Sequence, residues 1–161
     1  TATLPRHPFG VEHHRAWVLR PGNWLLVLDA FDGLESNDVE QWFHFHETGV
    51  LEGGSVRFRD DMSVFVTDLT GEAKHQTARG REGKRPQGWI SRHYGKREPR
   101  LSIGLRGRGQ GASFATLLSL DSPPTEAKVS SSPTEMTVEF NANGTRERIV
   151  YRPRQGKLAV K

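Results

Sequence analysis

The sequence predicts an all-β protein, an antiparallel β-sandwich of about ten to twelve strands with little or no helix. Two observations predict the class. No stretch of about eleven residues places apolar side chains at the i, i+3, i+4, i+7 spacing of an amphipathic helix. Short runs with strand character recur along the chain instead, bounded by Gly, Pro, Asn and Asp. Two turns add direction. Arg20-Pro21-Gly22-Asn23 separates two apolar runs with Pro and Gly in turn order, and Asn141-Ala142-Asn143-Gly144 ends in the Asn-Gly pair of a tight hairpin.

The strands expected in order are Val11–Arg20, Trp24–Ala30, Val39–His46, Ser55–Arg59, Ser63–Leu69 and Glu72–Ala78. Gly88–His93, Arg100–Leu105, Ala112–Leu120, Met136–Asn141, Arg146–Arg152 and Lys157–Val160 follow. Arg79–Gly88, with Arg79, Arg81, Lys84 and Arg85 among Gly and Pro, reads as a mobile basic loop. Asp121–Pro133, rich in Ser and Pro, reads as a second loop or the start of a terminal hairpin.

A chain of 161 residues fits one domain with a core large enough to fold without staples, and it has no cysteine to make any. The longest apolar run, Trp24–Leu28, is far shorter than a membrane span. Thr1 opens the chain with no methionine and no leader pattern, so a piece of a longer protein is expected. A net charge of +4 suits a polyanionic partner.

The most suggestive chemistry lies on the first three long strands. His13 and His14 are adjacent on the first, Asp29 follows Val27-Leu28 on the second, and His44 and His46 flank Phe45 on the third. His44 and His46 share one strand face, and Phe43 and Phe45 the other. A three-residue turn would pair Arg15 with Asp29 and set His13 diagonal to it on the same face; a two-residue turn would put His14 there. A His, an Asp and a second His on neighbouring strands suit a zinc-type site. The alternative is a solvated sheet face with Asp29 paired to Arg15.

These residues resemble the C-terminal sandwich of the heparinase II/III-like polysaccharide lyases. His13-His14-Arg15, then a strand, a turn and Trp24-Leu25-Leu26-Val27-Leu28-Asp29, is similar to that family's opening hairpin. Trp42-Phe43-His44-Phe45-His46 resembles its Phe-His-Leu-His strand. Gly88-Trp89-Ile90-Ser91-Arg92-His93-Tyr94-Gly95 resembles its G-W-x-S-x-x-Y-G motif, and Ala115-Thr116-Leu117-Leu118 its closing strand. The matches cover roughly residues 9 to 120, in the family's order.

The resemblance implies a two-part enzyme of the bacterial periplasm or a secreted one. An N-terminal α/α toroid carries most of the catalytic groups, and the sandwich forms one wall of a cleft in which anionic, uronic-acid polysaccharides are cut by β-elimination. It implies a structural zinc held by His13 or His14, Asp29, and His44 or His46. The family's catalytic sandwich His would fall at Val11 or Glu12, so that role does not carry over.

β-Elimination needs the uronate carboxylate neutralised, a base for the C5 proton and an acid for the leaving oxygen. Arg81, Arg85, Arg92 and His93 are candidate contacts to such a polyanion, since Arg suits bidentate carboxylate or sulfate. Trp89 and Tyr94 are a candidate sugar-stacking pair, with core packing the alternative for Trp89. Trp17, Trp24 and Trp42 read as packing residues. The competing function is a non-catalytic carbohydrate-binding or structural module. A nucleic-acid partner is not expected: Arg106-Gly107-Arg108-Gly109 is basic, but no stacking platform of basic residues and aromatics accompanies it. No paired-carboxylate motif and no G-x-S-x-G elbow points to a hydrolase.

Overall fold

A computed structural model of the chain describes residues 10–33, 38–59, 61–108 and 112–161, with the backbone alone of 2–4 and 108. Gly109 of the Arg-Gly stretch lies outside the described residues. The fold is all-β. The strands are β1 (Ala2–Leu4), β2 (Glu12–Arg20), β3 (Trp24–Asp32), β4 (Asp38–His44), β5 (Val50–Glu52), β6 (Ser55–Arg57), β7 (Ser63–Asp68) and β8 (Lys74–Arg79). After them come β9 (Trp89–His93), β10 (Lys96–Pro99), β11 (Leu101–Arg108), β12 (Ser113–Leu120), β13 (Thr125–Ser131), β14 (Met136–Ala142), β15 (Thr145–Arg152) and β16 (Lys157–Val160). A 3-10 turn spans Pro153–Gln155.

The sixteen strands among the described residues exceed the ten to twelve expected from the sequence. The extra ones are β1, β5 and β10, which are three or four residues long, and β13, whose side chains are mostly exposed. None of them shows an alternating apolar pattern, so none signals itself. β13 decides between the two readings of 121–133 in favour of the start of a terminal hairpin: it pairs with β14 as the first strand of a terminal sheet.

All pairings are antiparallel. A seven-stranded sheet runs β1-β2-β3-β12-β7-β6-β5, and a three-stranded sheet β4-β11-β8 covers part of one of its faces. A four-stranded sheet β13-β14-β15-β16 covers the other face, and β9-β10 form a separate hairpin. Alternation explains the layering. Along β3, Trp24, Leu26 and Leu28 join Ala16, Ala115 and Leu117 against Met136, Val138, Phe140, Ile149 and Tyr151 of the terminal sheet. On the other face, Val56 and Val66 meet Phe45, Leu101 and Ile103. Each fully buried Leu or Phe contributes roughly 1.5–3 kcal/mol, so the two clusters hold the three layers together.

The β2–β3 hairpin turns through three residues, which sets Arg15 opposite Asp29. Asn23 N–H donates to Arg20 C=O at 3.0 Å, and Gly22 takes the positive φ of 72° that a side chain would resist. The segment after β8 closes as a narrow ladder, with Arg81 and Gln87 exchanging backbone bonds of 2.9 and 3.1 Å.

Candidate functional site

Asp29 is the most heavily bonded side chain near the predicted site, and it is fully buried. Arg15 donates to it through Nε at 2.6 Å and Nη2 at 2.7 Å. His13 Nε2 lies 2.8 Å from Oδ1, and Gln41 Nε2 donates to Oδ2 at 2.6 Å. Gln41 is held in turn by Thr116, whose hydroxyl donates to its Oε1 at 2.5 Å. The network joins β2, β3, β4 and β12. Burial pushes the Asp29 carboxyl up, but Arg15 and His13 outweigh it and leave the carboxyl below its ordinary range. The same bond raises Arg15. His13 stacks on Phe31, with ring centroids 4.6 Å apart.

The structure therefore brings His13 and Asp29 together. It does not bring His44 or His46 to them. Gln41 reaches Asp29 from β4, and His44 stands three positions further on, which places it on the opposite face of that strand. His44 Nδ1 is 2.6 Å from Ser102 Oγ, and burial followed by Arg100 lowers its pKa. His46 lies beyond the end of β4, exposed, with Nδ1 3.1 Å from Thr48 Oγ1. Both oxygens of Asp29 already accept two donors each, so a zinc-type ion there would have to displace Arg15 and His13 or Gln41. The set His13, Asp29 and His44 does not fit a metal.

His14 projects to the other face of β2. Its Nε2 lies 3.7 Å from Glu12 and 3.5 Å from Asp32, and among the described residues these three form the group whose donor atoms lie within 4.8 Å of one another. One imidazole and two carboxylates are a donor set that zinc accepts. Arg154, from the 3-10 turn after β15, binds Asp32 at 2.9 and 3.2 Å and is the main cause of its lowered pKa. An ion would compete with that guanidinium. The sequence reading missed Asp32 and Arg154, which stand 122 positions apart.

The predicted polysaccharide contacts gather elsewhere, around the β9–β10 hairpin and the outer face of the small sheet. Tyr94 is fully exposed at the hairpin turn, with His93 and Arg92 beside it. Arg92 pairs with Glu47. Trp89 is half-buried: Arg97 stacks over its ring at 4.4 Å, and its Nε1 donates to Arg81 C=O at 3.0 Å. Trp42, expected as a packing residue, lies across Gly104, where an added Cβ would meet its ring at 2.8 Å. Arg81 sits over the same indole at 5.6 Å. Trp42 Nε1 donates to Glu40 at 3.0 Å, the largest influence holding that carboxyl down; Arg106 and exposed Arg85 add to it. Trp17, also expected in the packing, is 48% exposed.

The charge is unevenly spread. Residues 72–108 hold 11 of the 23 Lys and Arg but 3 of the 19 Asp and Glu. The whole excess of positive charge therefore sits on β8 to β11.

Comparison with known proteins agrees with this architecture. The Heparinase II/III-like, C-terminal family matches residues 2–143. A heparan sulfate lyase from Pedobacter heparinus superposes with a TM-score of 0.68 at 15% identity, covering 93% of this chain and 25% of that one. A heparinase III superposes at 0.66 with 14% identity over 93% of this chain and 25% of its own, and another at 0.61 with 13% identity over 88% and 24%. This chain thus spans about a quarter of the length of those solved chains. The comparison with curated proteins gave no match. The match across 2–143, on an all-β layered fold, places the chain in the heparinase II/III-like C-terminal family.

Proposed function

We propose that the chain is the sandwich part of a polysaccharide lyase acting on uronic-acid polysaccharides, such as glycosaminoglycan- or alginate-like chains, in the bacterial periplasm or outside the cell. The observation that carries the reading is the family match over 2–143, and the concentration of cations on β8 to β11 agrees with a polyanionic substrate. In the reaction the C5 proton leaves, the C4–O bond breaks, a C4=C5 double bond forms and the leaving oxygen takes a proton; no water is consumed. An N-terminal α/α toroid would supply the other cleft wall and most of the catalytic groups. Arg81, Arg85, Arg92 and His93 contact the anionic polymer, and Trp89 and Tyr94 its sugar rings.

A structural zinc fits Glu12, His14 and Asp32 better than Asp29, because those donors converge while Asp29 is saturated. The ion would tie β2 to β3 and supply no step of the reaction.

The test is incubation of the full-length protein with heparan sulfate, hyaluronan and alginate, followed through the ultraviolet absorbance of the unsaturated product. Product from one of them, with a raised KM in the double variant Arg81→Glu and Arg85→Glu, supports the reading. No unsaturated product from any of them, with retained glycan binding, replaces it by a non-catalytic carbohydrate-binding module. No helix among the described residues is long and apolar enough to cross a membrane.

A further inference from the structure

β4 ends the small sheet above β3 and β12, where Gln41 touches Asp29 and Thr116. β2 extends past that edge. The face it shares with Asp29 carries His13, Arg15, Trp17 and Leu19 in alternate positions. Trp17 is 48% exposed and Leu19 64%, on the stretch of β2 beyond its pairing with β1, which covers only His13 to Arg15. Arg15 is one-third exposed and His13 about one-fifth, although both bond the fully buried Asp29.

Asp29 fixes what these two groups can do. Arg15 gives it two of its five N–H donors, and the remainder have no partner among the described residues. The guanidinium is thereby locked in one plane before any ligand arrives, which lowers the ordering cost of binding. His13 is held through Nε2, and Nδ1 has no partner among the described residues. Two positions along from Arg15, the exposed indole of Trp17 offers an apolar plate. A planar cation two positions from an exposed indole suits a sugar ring bearing a carboxylate.

We infer that Arg15 and Trp17 on β2 form a uronate-binding subsite, with Asp29 as its positioning residue and His13 at its edge. The inference deepens the polysaccharide reading by naming the residues that recognise the sugar acid, and it rests on that reading only for the choice of sugar. The subsite is separate from the cationic hairpin at Arg92–Arg97, on another layer of the fold. A neutral sugar would stack on Trp17 but leave Arg15 without its anion, so the subsite discriminates by the carboxylate.

The test is an NMR titration of this chain with a glucuronate-containing hyaluronan tetrasaccharide and with the same tetrasaccharide after carboxyl reduction. The Trp17 indole N–H and the amides of β2 should shift with the acid and much less with the reduced form. Trp17→Ala, at a half-exposed position that does not threaten the fold, should weaken binding of the acid about tenfold. Arg15→Lys should reduce the preference for the acid over its reduced form about tenfold, since an ammonium lacks the fork. Asp29→Asn should bring that preference close to one while leaving the weak binding of the reduced sugar at Trp17 intact, which mere loosening of the strand would not do. Shifts confined to Trp89, Tyr94 and their neighbours, with Trp17 silent, overturn the proposal whether or not the full-length protein proves to be a lyase. Equal binding of acid and reduced sugar at Trp17 also overturns it. Lyase activity without β2 shifts removes the subsite alone; β2 shifts without activity remove the lyase reading alone.

Discussion

Arg15 and Asp29 face each other across the β2–β3 hairpin and close a two-pronged ion pair at 2.6 and 2.7 Å, with the carboxylate fully buried and the guanidinium reaching the surface. A buried carboxylate is tolerated only when its charge and lone pairs are matched, and here four donors match them. Removing the carboxylate strands its partners more than it relieves the core. Asp29→Ala should therefore cost about 3 kcal/mol, the lower end for breaking a buried pair because Arg15 is partly wet. Urea unfolding of the two proteins measures it, and a loss below about 1 kcal/mol would mean that the network contributes little.

Acid should unfold the chain in two stages. His44 has a folded pKa below its ordinary 6.5, so its stabilising contribution is complete above that value and is lost as pH falls through the folded one. Asp29 and Asp32 are also held below their ordinary 3.8, so their contributions are complete above pH 3.8 and disappear further down. Stability should be level near neutrality, sag below pH 6.5 and fall steeply below pH 3.8. Chemical denaturation across pH tests the curve. His44→Gln, which keeps a hydrogen-bonding partner for Ser102, should flatten the first decline; an unchanged decline would assign it to another group.

The register of the first hairpin stayed open between a two- and a three-residue turn until Arg15 was seen opposite Asp29; the hairpin itself was legible because Pro21-Gly22-Asn23 is a local signal. The class was legible for the same reason: alternation and turns are properties of neighbours in sequence. What completes each site is not. Gln41 comes to Asp29 from another sheet, Thr116 comes to Gln41 from 75 positions away, and Arg154 comes to Asp32 from 122. His44 and His46 misled because pairing within a motif says nothing about which layer the strand joins or where it ends. Once β4 crosses to the small sheet, Gln41 faces the large sheet and His44 faces away. Trp17 misled differently: an aromatic within a long strand suggests burial, but β2 lies second from the edge of its sheet, and the covering sheet stops at β4.

Gly104 on β11 has no room for a side chain because the Trp42 ring lies across it. Gly104→Ala should cost about 1–3 kcal/mol through overpacking and should lift the indole off the sheet, which also breaks its contact with Arg81. Trp42→Phe in the same background, having a smaller ring, should recover part of the loss. Thermal unfolding and tryptophan fluorescence follow both effects; a neutral Gly104→Ala would show that Trp42 repacks freely.

Metal content separates the two carboxylates of β3. Asp29 has no donor site left, whereas Asp32 shares its oxygens with Arg154 and stands 3.5 Å from His14. Zinc titrated into the tag-free chain should bind with a stoichiometry that survives Asp29→Asn and is lost in Asp32→Ala. Arg154→Ala should tighten zinc, because the guanidinium and the ion compete for the same oxygens. Isothermal titration calorimetry gives all three comparisons. Loss of zinc in Asp29→Asn with retention in Asp32→Ala would move the ion to the buried network and require Arg15 to swing away from it.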